Sequence, residues 1–275
     1  DPRMSRRILA LFAKAPVPGQ VKTRLVPELS PESAAALYEA MLSDIVDQHA
    51  SERDCERALW FAPADARDWF ERFAPAGWRL IPQQGRDLAA RMAALFRLHG
   101  AEGFDRIVLR GTDSPTLPAA RVGEAFAALE HSELALCPDR DGGYNLIGLR
   151  AACDDLFALE LSNAGVLSRT LANARVLGLA AELLPAHHDV DTWADLLRLT
   201  AELDAKRAPR THRIVREILP ICRHTCCTSA LTDTHATALL RLADRRERDD
   251  WEHRNPGRDC RGIAVLYAAS GGCRR

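Results

Sequence analysis

Three cations stand within eleven residues near the start of the chain: Lys14, Lys22 and Arg24. Such a group could neutralise a di- or triphosphate, with lysine acting as a compact charge and arginine gripping phosphate oxygens through its planar fork. Between them Pro16, Pro18 and Gly19 make a loop that cannot continue a strand, and Gly19 lets backbone N–H groups come close to an anion. The same lysine and arginine read equally as solvated loop residues. The segment is not a P-loop, because Val21 rather than glycine precedes the lysine.

Carboxylates form the second group. Gly111-Thr112-Asp113-Ser114-Pro115 places one acid between a glycine and a proline, and Asp189-Val190-Asp191-Thr192 places two more. Mg²⁺ commonly takes one or two carboxylates and fills its octahedron with phosphate and water. Asp113 and Asp191 would suffice as metal ligands, although an Asp after a strand more often serves a turn or a cap. Asp141-Gly142-Gly143-Tyr144 is a tight-turn signal that also makes Asp141 a metal or substrate candidate. Gln84-Gly85 leads to Asp87, which reads first as a helix cap and second, with Gly85, as a place for a nucleobase or anion. His187 and His188, being adjacent, are expected at the surface rather than on one ligand.

These residues need elements to carry them. Residues 7–13 are a short apolar run, read as a buried first strand. Ser30-Pro31 opens a helix whose apolar face is Ala35, Leu37, Met41, Leu42 and Ile45. Strands are expected at 58–62, 79–82, 105–110, 133–137, 144–149 and 181–185. Helices are expected at 65–73, 87–99 (closed by Gly100), 118–130 and 164–177. A last helix is capped by Thr192, with Asp195 three residues on. Alternating strands and helices predict an α/β fold: a mostly parallel sheet covered by helices on both faces. Ligands in such sheets bind beyond the carboxyl ends of the strands, which is where the cationic and acidic loops fall.

The chain has 275 residues, 47% hydrophobic and 27% charged, enough for one large core with an appendage. A net charge of −1 argues against nucleic-acid binding, and no apolar run approaches the ~20 residues that span a bilayer. No secretory segment is read at the start, so the cytoplasm is the expected location. The oligomeric state is left open. Composition shifts near residue 208: Cys222, Cys226, Cys227, Cys260 and Cys273 crowd the last quarter. Residues 4–207 are therefore read as the nucleotide-binding domain and 208–275 as a loosely ordered Cys/Arg-rich appendage with an irregular C-terminal tail. A helix is expected over 232–246. Cys222-Arg223-His224-Thr225-Cys226-Cys227 lacks the paired spacing of structural zinc sites.

In this order the segments F-A-K-x-P-x-x-G-x-V-K-T-R-L, Q-G-x-D-L-x-x-R-M, G-x-D-x-P, D-G-G-Y-x-L-I-G and D-V-D-T resemble the GT-A-fold nucleotide-diphospho-sugar transferase superfamily. The chain carries them at residues 12–25, 84–92, 111–115, 141–148 and 189–192. Within it the resemblance is to a bacterial glycosyltransferase-like, radical-SAM-associated family. That family is similar to phospholactate guanylyltransferases and molybdenum-cofactor nucleotidyltransferases. The resemblance covers residues 7–205 and implies a GT-A-like sheet, Mg²⁺ or Mn²⁺, and a nucleoside triphosphate or nucleotide-sugar with a small acceptor. It implies phosphate binding by Lys14, Pro18, Gly19, Lys22 and Arg24, with Gln84, Gly85 and Asp87 on the nucleotide. Lys22, Arg24 and Asp113 would be catalytic. Asp113, Asp191 and Asp141 would hold the metal, and Asp141, Gly142, Gly143 and Tyr144 would meet the acceptor. Leu161-Ser162-Asn163 replaces the family's Trp-Ser-Thr-like segment. Nucleotidyl transfer with pyrophosphate release leads, glycosyl transfer is the alternative, and a non-catalytic nucleotide-binding module ranks third.

Overall fold

The computed structural model describes residues 5–26, 28–158 and 165–219. Seven strands form one sheet: β1 (Arg7–Lys14), β2 (Glu56–Ala62), β3 (Trp78–Pro82), β4 (Arg106–Arg110), β5 (Leu134–Pro138), β6 (Tyr144–Leu149) and β7 (Ala181–Leu183). Their spatial order is β3-β2-β1-β4-β6-β5-β7. All neighbours run parallel except β6, which is antiparallel to β4 and β5. The α/β sheet expected from the alternating pattern is the one observed. The antiparallel strand follows from the tight turn at Asp139–Gly143, where the Asp139 N–H donates to the Gly143 carbonyl at 2.9 Å.

β1 shows how the apolar runs work. Ile8 and Ala10 enter the core on one face of the sheet, and Leu9 and Leu11 enter the core on the other. A strand buried on both faces reads as continuous rather than alternating hydrophobicity. Each fully buried Ile or Leu contributes about 1.5–3 kcal/mol relative to exposure. Helices α1 (Pro31–Gln48), α2 (Arg67–Phe73) and α4 (Ala120–Ala128) cover the Leu9/Leu11 face. Helices α3 (Leu88–Ala101) and α5 (Val166–Val176) cover the Ile8/Ala10 face.

The expected caps are present. The Ser33 N–H donates to Ser30 Oγ at 3.1 Å, the Ala90 N–H donates to Asp87 Oδ1 at 2.8 Å, and Thr192 with Asp195 closes a capping box on α6 (Trp193–Glu202). Boundaries shift slightly: α3 runs through Gly100 rather than ending at it, and a short 3₁₀ turn precedes α2.

The boundary drawn at residue 207 falls too early for the packed body. Helix α7 (Pro209–Ile218) lies on α1, and Val215 and Leu219 join Leu37, Met41, Leu196 and Leu199 in a third apolar cluster. Its own N-cap, Ala208, offers no side chain. Asp44 of α1, fully buried, supplies the cap instead: Oδ2 accepts from the Thr211 N–H at 2.7 Å and Oδ1 from the Arg210 N–H at 3.2 Å. The tail cysteines and the helix expected over 232–246 lie outside the described residues. No helix among the described residues is long and apolar enough to cross a membrane.

Candidate active site: a cleft at the carboxyl edge of the sheet

The loops after β1, β3, β4 and β7 and the β5–β6 turn open on one cleft of about 780 Å³. Of the residues expected there, Lys14, Lys22, Arg24, Asp87, Asp113, Asp141, Gly143, Tyr144 and Asp191 line it. Pro18, Gly19, Gln84, Gly85 and Gly142 do not. Pro18, Gly19, Gln84 and Gly85 are exposed beyond its walls.

The β1 loop is pinned at both ends by apolar anchors, Val21 and Leu25. Gly19 turns it with φ +76°. Lys22 follows in the left-handed region at φ 49°, ψ 36°, and it is the one non-glycine residue with positive φ among the described residues. That backbone turns its side chain inward. Lys22 Nζ donates to Asp113 Oδ1 and, at 3.1 Å, to Asp191 Oδ1. The side chain is only 3% exposed, whereas Asp113 and Asp191 keep 42% and 38%. Burial alone would lower the lysine pKa, but the two carboxylates overcome it and hold the ammonium above its ordinary range. The expectation that Lys22 faces a phosphate outright is thus revised: it is the counter-ion of the acidic pair. Arg24 Nη1 stands 3.7 Å from Asp191 Oδ2 and is mostly exposed, and Lys14 is exposed with only its backbone N–H engaged, on Tyr38 Oη at 2.9 Å.

The β4 loop is held from several sides. Gly111 N–H donates to the Asn145 carbonyl at 2.9 Å, and Thr112 Oγ1 donates to the Phe12 carbonyl at 2.8 Å. Behind it Arg110, fully buried, donates to the Ser114 carbonyl at 3.0 Å and meets His49 Nε2. The loop after β7 is stitched to it: Val190 N–H donates to the Asp113 carbonyl at 2.9 Å, and Ser114 Oγ donates to Asp189 Oδ1 at 2.6 Å. These bonds fix Asp113 and Asp191 as a pair.

Asp141 does not complete that pair. Its Oδ1 accepts from the Gly143 N–H at 2.9 Å, a turn contact, and among the described residues no group of three His, Cys, Asp or Glu is arranged to hold a metal ion. The residues the sequence reading left unassigned are Asp139, Asp189, Arg91 and Asn145, all lining the cleft. Burial, reinforced by Asp113, pushes the Asp189 carboxyl up to about 8, and burial with the neighbouring Asp141 pushes Asp139 up to about 6. The D-V-D spacing was the available signal for Asp189: Val190 is buried, and both acids flanking it line the cleft. His188 is also unlike its expectation. It is 3% exposed, stacked on His187 at 4.8 Å, because the stitched loop folds under the sheet edge.

Residues 45–160 match the model of a family described as "Uncharacterized protein conserved in bacteria (DUF2064)". The chain is 33% identical over 171 residues to the 3-phospho-D-glycerate guanylyltransferase of Phenylobacterium zucineum, covering 60% of this chain and 76% of that one. It is 27% identical over 179 residues to the 2-phospho-L-lactate guanylyltransferase of Methanothermobacter thermautotrophicus, covering 64% and 76%. Among solved structures it resembles a protein of Desulfovibrio desulfuricans described as a nucleotide-diphospho-sugar transferase. The TM-score is 0.73 at 33% identity, over 78% of this chain and 95% of that one. With this cleft at the carboxyl edge of a GT-A-like sheet, the chain belongs to the DUF2064 family and is, like these relatives, a nucleotide-handling transferase.

Proposed function

We propose that the cleft binds a guanine nucleoside triphosphate with a divalent cation and transfers its guanylyl group to a small phosphorylated carboxylic acid, releasing pyrophosphate. The observation that carries this reading is the carboxylate pair Asp113–Asp191, fixed on Lys22 and flanked by the exposed cations Lys14 and Arg24. The relatives named above act on 2-phospho-L-lactate and 3-phospho-D-glycerate, both three-carbon acids carrying a phosphate.

Such an acceptor brings its own nucleophile. A phosphate oxygen attacks the α-phosphorus, the bond from the α-phosphorus to the β-bridging oxygen breaks, and pyrophosphate departs with the electron pair. An ionised phosphate needs no general base, so the protein's work is positioning and charge stabilisation. Lys14 and Arg24 would hold the β- and γ-phosphates and stabilise the leaving group. Lys22 would keep Asp113 and Asp191 in register.

The carboxylate pair fits Mg²⁺ or Mn²⁺, which take one or two carboxylates and leave their other positions to phosphate and water. Asp113 Oδ2 has no protein partner among the described residues, and Asp191 Oδ2 has only the distant Arg24. Bound there, the ion would polarise the phosphoryl oxygens. We place the reaction in the cytoplasm, whose reducing conditions suit the free cysteines Cys55, Cys137 and Cys153.

The test is to incubate the protein with Mg²⁺, each of the four ribonucleoside triphosphates and either phosphorylated acid, and to follow pyrophosphate through pyrophosphatase. Release from GTP that requires the acceptor is expected. Glycosyl transfer is the second reading, favoured by the likeness to the nucleotide-diphospho-sugar transferase. Sugar transfer from a nucleotide-sugar, without pyrophosphate release from any triphosphate, would replace the first reading with the second.

A further inference from the structure

We propose that Arg91 selects the base of the nucleotide, donating two hydrogen bonds to the O6 and N7 atoms of guanine. This rests on the reading that the cleft holds a nucleotide, and it adds the side chain that chooses which one.

The wall formed by the loop after β3 and the first turns of α3 is built around this residue. Gln83 follows β3 directly, and its N–H donates to the Phe61 carbonyl at 2.8 Å. Its side-chain Nε2 donates to the Trp60 carbonyl at 2.8 Å and the Ala13 carbonyl at 3.2 Å. Both amide hydrogens are used, so Oε1 is the atom left to face Arg91, whose Nη1 is 3.4 Å away. Arg91 Nε donates to the Gly85 carbonyl at 3.2 Å. Gly85 sits tight on the helix, at φ +140°, where a Cβ would come within 2.7 Å of the Arg91 nitrogen. The guanidinium is thus aimed by neutral acceptors on a backbone that cannot shift.

Its charge is only partly answered in the fold: Asp87, the cap of the same helix, feels the guanidinium at a distance, without an ion-pair contact. Among the described residues no carboxylate oxygen lies within 4.0 Å of Arg91, and Nη2 has no hydrogen-bond acceptor. Arg24, the other arginine of the cleft, has Asp191 instead. Beside Arg91 the same wall offers apolar surface to a flat ring: Phe12, Met92 and Leu88, the last 49% exposed although large and apolar. A planar fork next to a hydrophobic platform matches a purine that presents two acceptors side by side. Guanine presents O6 and N7, the pairing arginine makes most often with that base. Adenine puts an amino donor against the guanidinium, and a pyrimidine has no N7.

Calorimetric titration of the full chain in Mg²⁺ with GTP, ITP, 7-deaza-GTP and ATP tests this without any variant. ITP keeps both acceptors and should bind close to GTP. 7-deaza-GTP and ATP should bind more weakly, ATP by roughly 10- to 100-fold, the range a good bidentate contact gives. Arg91→Lys keeps the charge, loses the fork, and should bring the GTP-to-ATP ratio towards one. Equal affinity for GTP and ATP, 7-deaza-GTP binding as tightly as GTP, or an unchanged ratio in Arg91→Lys would each overturn the assignment. Selective GTP binding with no pyrophosphate released to any acceptor would leave Arg91 as the base reader and remove nucleotidyl transfer.

Discussion

Lys22→Met should weaken the fold and the activity together, by amounts the structure sets. Methionine keeps the length of the buried stem and removes the ammonium, so the change isolates charge from packing. Taking one partner from a fully buried ion pair costs about 3–5 kcal/mol, and an exposed pair is worth about 0–1. Here the cation is 3% exposed and its carboxylates 42% and 38%, so solvent screens the acids that remain and about 2 kcal/mol is expected. That is roughly a 30-fold change in the folded-to-unfolded ratio, readable as a lower midpoint in urea at unchanged slope. The lysine is held above its ordinary range, so its contribution is complete below the ordinary lysine pKa and is lost only as the pH rises beyond it. The deficit should therefore be the same at pH 6 and pH 8. Mg²⁺ should restore more stability to the variant than to the parent, because Asp113 is then unpaired and Asp191 keeps only the distant Arg24. Saturation at about 100 times Kd contributes about 2.7 kcal/mol. Pyrophosphate release should fall by about 10²- to 10³-fold, the usual cost of one lost preorganised charge contact. Repeating the change in an Asp113→Asn, Asp191→Asn background provides the refutation. An undiminished loss there would mean the lysine acts through something other than this pair.

Asp44→Ala should destabilise the chain by about 1–3 kcal/mol, because it strips the cap from α7 and leaves buried N–H groups without an acceptor. Hydrogen exchange should show residues 209–219 opening first. Glu102→Gln tests the remote ion pair at the opposite edge of the sheet, where Arg79 grips Glu102 with both Nη atoms and holds its carboxyl down to about 2. With a depressed folded pKa the contribution is present above the ordinary Glu value and is lost as pH falls towards 2. The variant should be about 1–2 kcal/mol less stable at pH 7, after allowance for partial exposure, and the gap should narrow steadily below pH 4.5 in denaturant titrations.

What could be read from the sequence was local. Strands buried on both faces announce themselves as apolar runs, and Ser30, Asp87 and Thr192 cap within three residues of themselves. The edge of the sheet was equally legible, since residues 14–24 and 111–115 directly follow or close their strands β1 and β4. Relations across the chain were not. α7 looked detachable because its cap comes from Asp44, 167 residues away from Thr211, and no pattern within residues 208–219 could disclose it. His188 looked exposed because histidine is polar, yet the stitching of the 187–191 loop to Ser114 carries it inside. Arg91 stood in the Q-G-x-D-L-x-x-R-M segment but was given no role, because an arginine on a first helical turn is ordinarily a solvated face. Only the orientation of the Gln83 amide shows that it is aimed.

The backbone at Lys22 links the two levels. A non-glycine residue in the left-handed region costs roughly 1–2 kcal/mol, and glycine would adopt it freely. Val21 and Leu25, both buried, fix where the segment enters and leaves the core, and the left-handed turn between them falls at Lys22. With the reversal at 22, the side chain is turned inward and its ammonium ends between carboxylates that lie 91 and 169 residues further along the chain. Three loops that otherwise meet through backbone and hydroxyl contacts and the looser Arg24–Asp191 pair are thereby tied at one charge. A glycine at 22 would relieve the backbone and sever the tie. The fold therefore holds a strained lysine where an unstrained residue was geometrically available, and the reason for that residue is its charge. On the proposed function, the junction it makes is where a metal–phosphate group would sit, so strain and chemistry would coincide at this position.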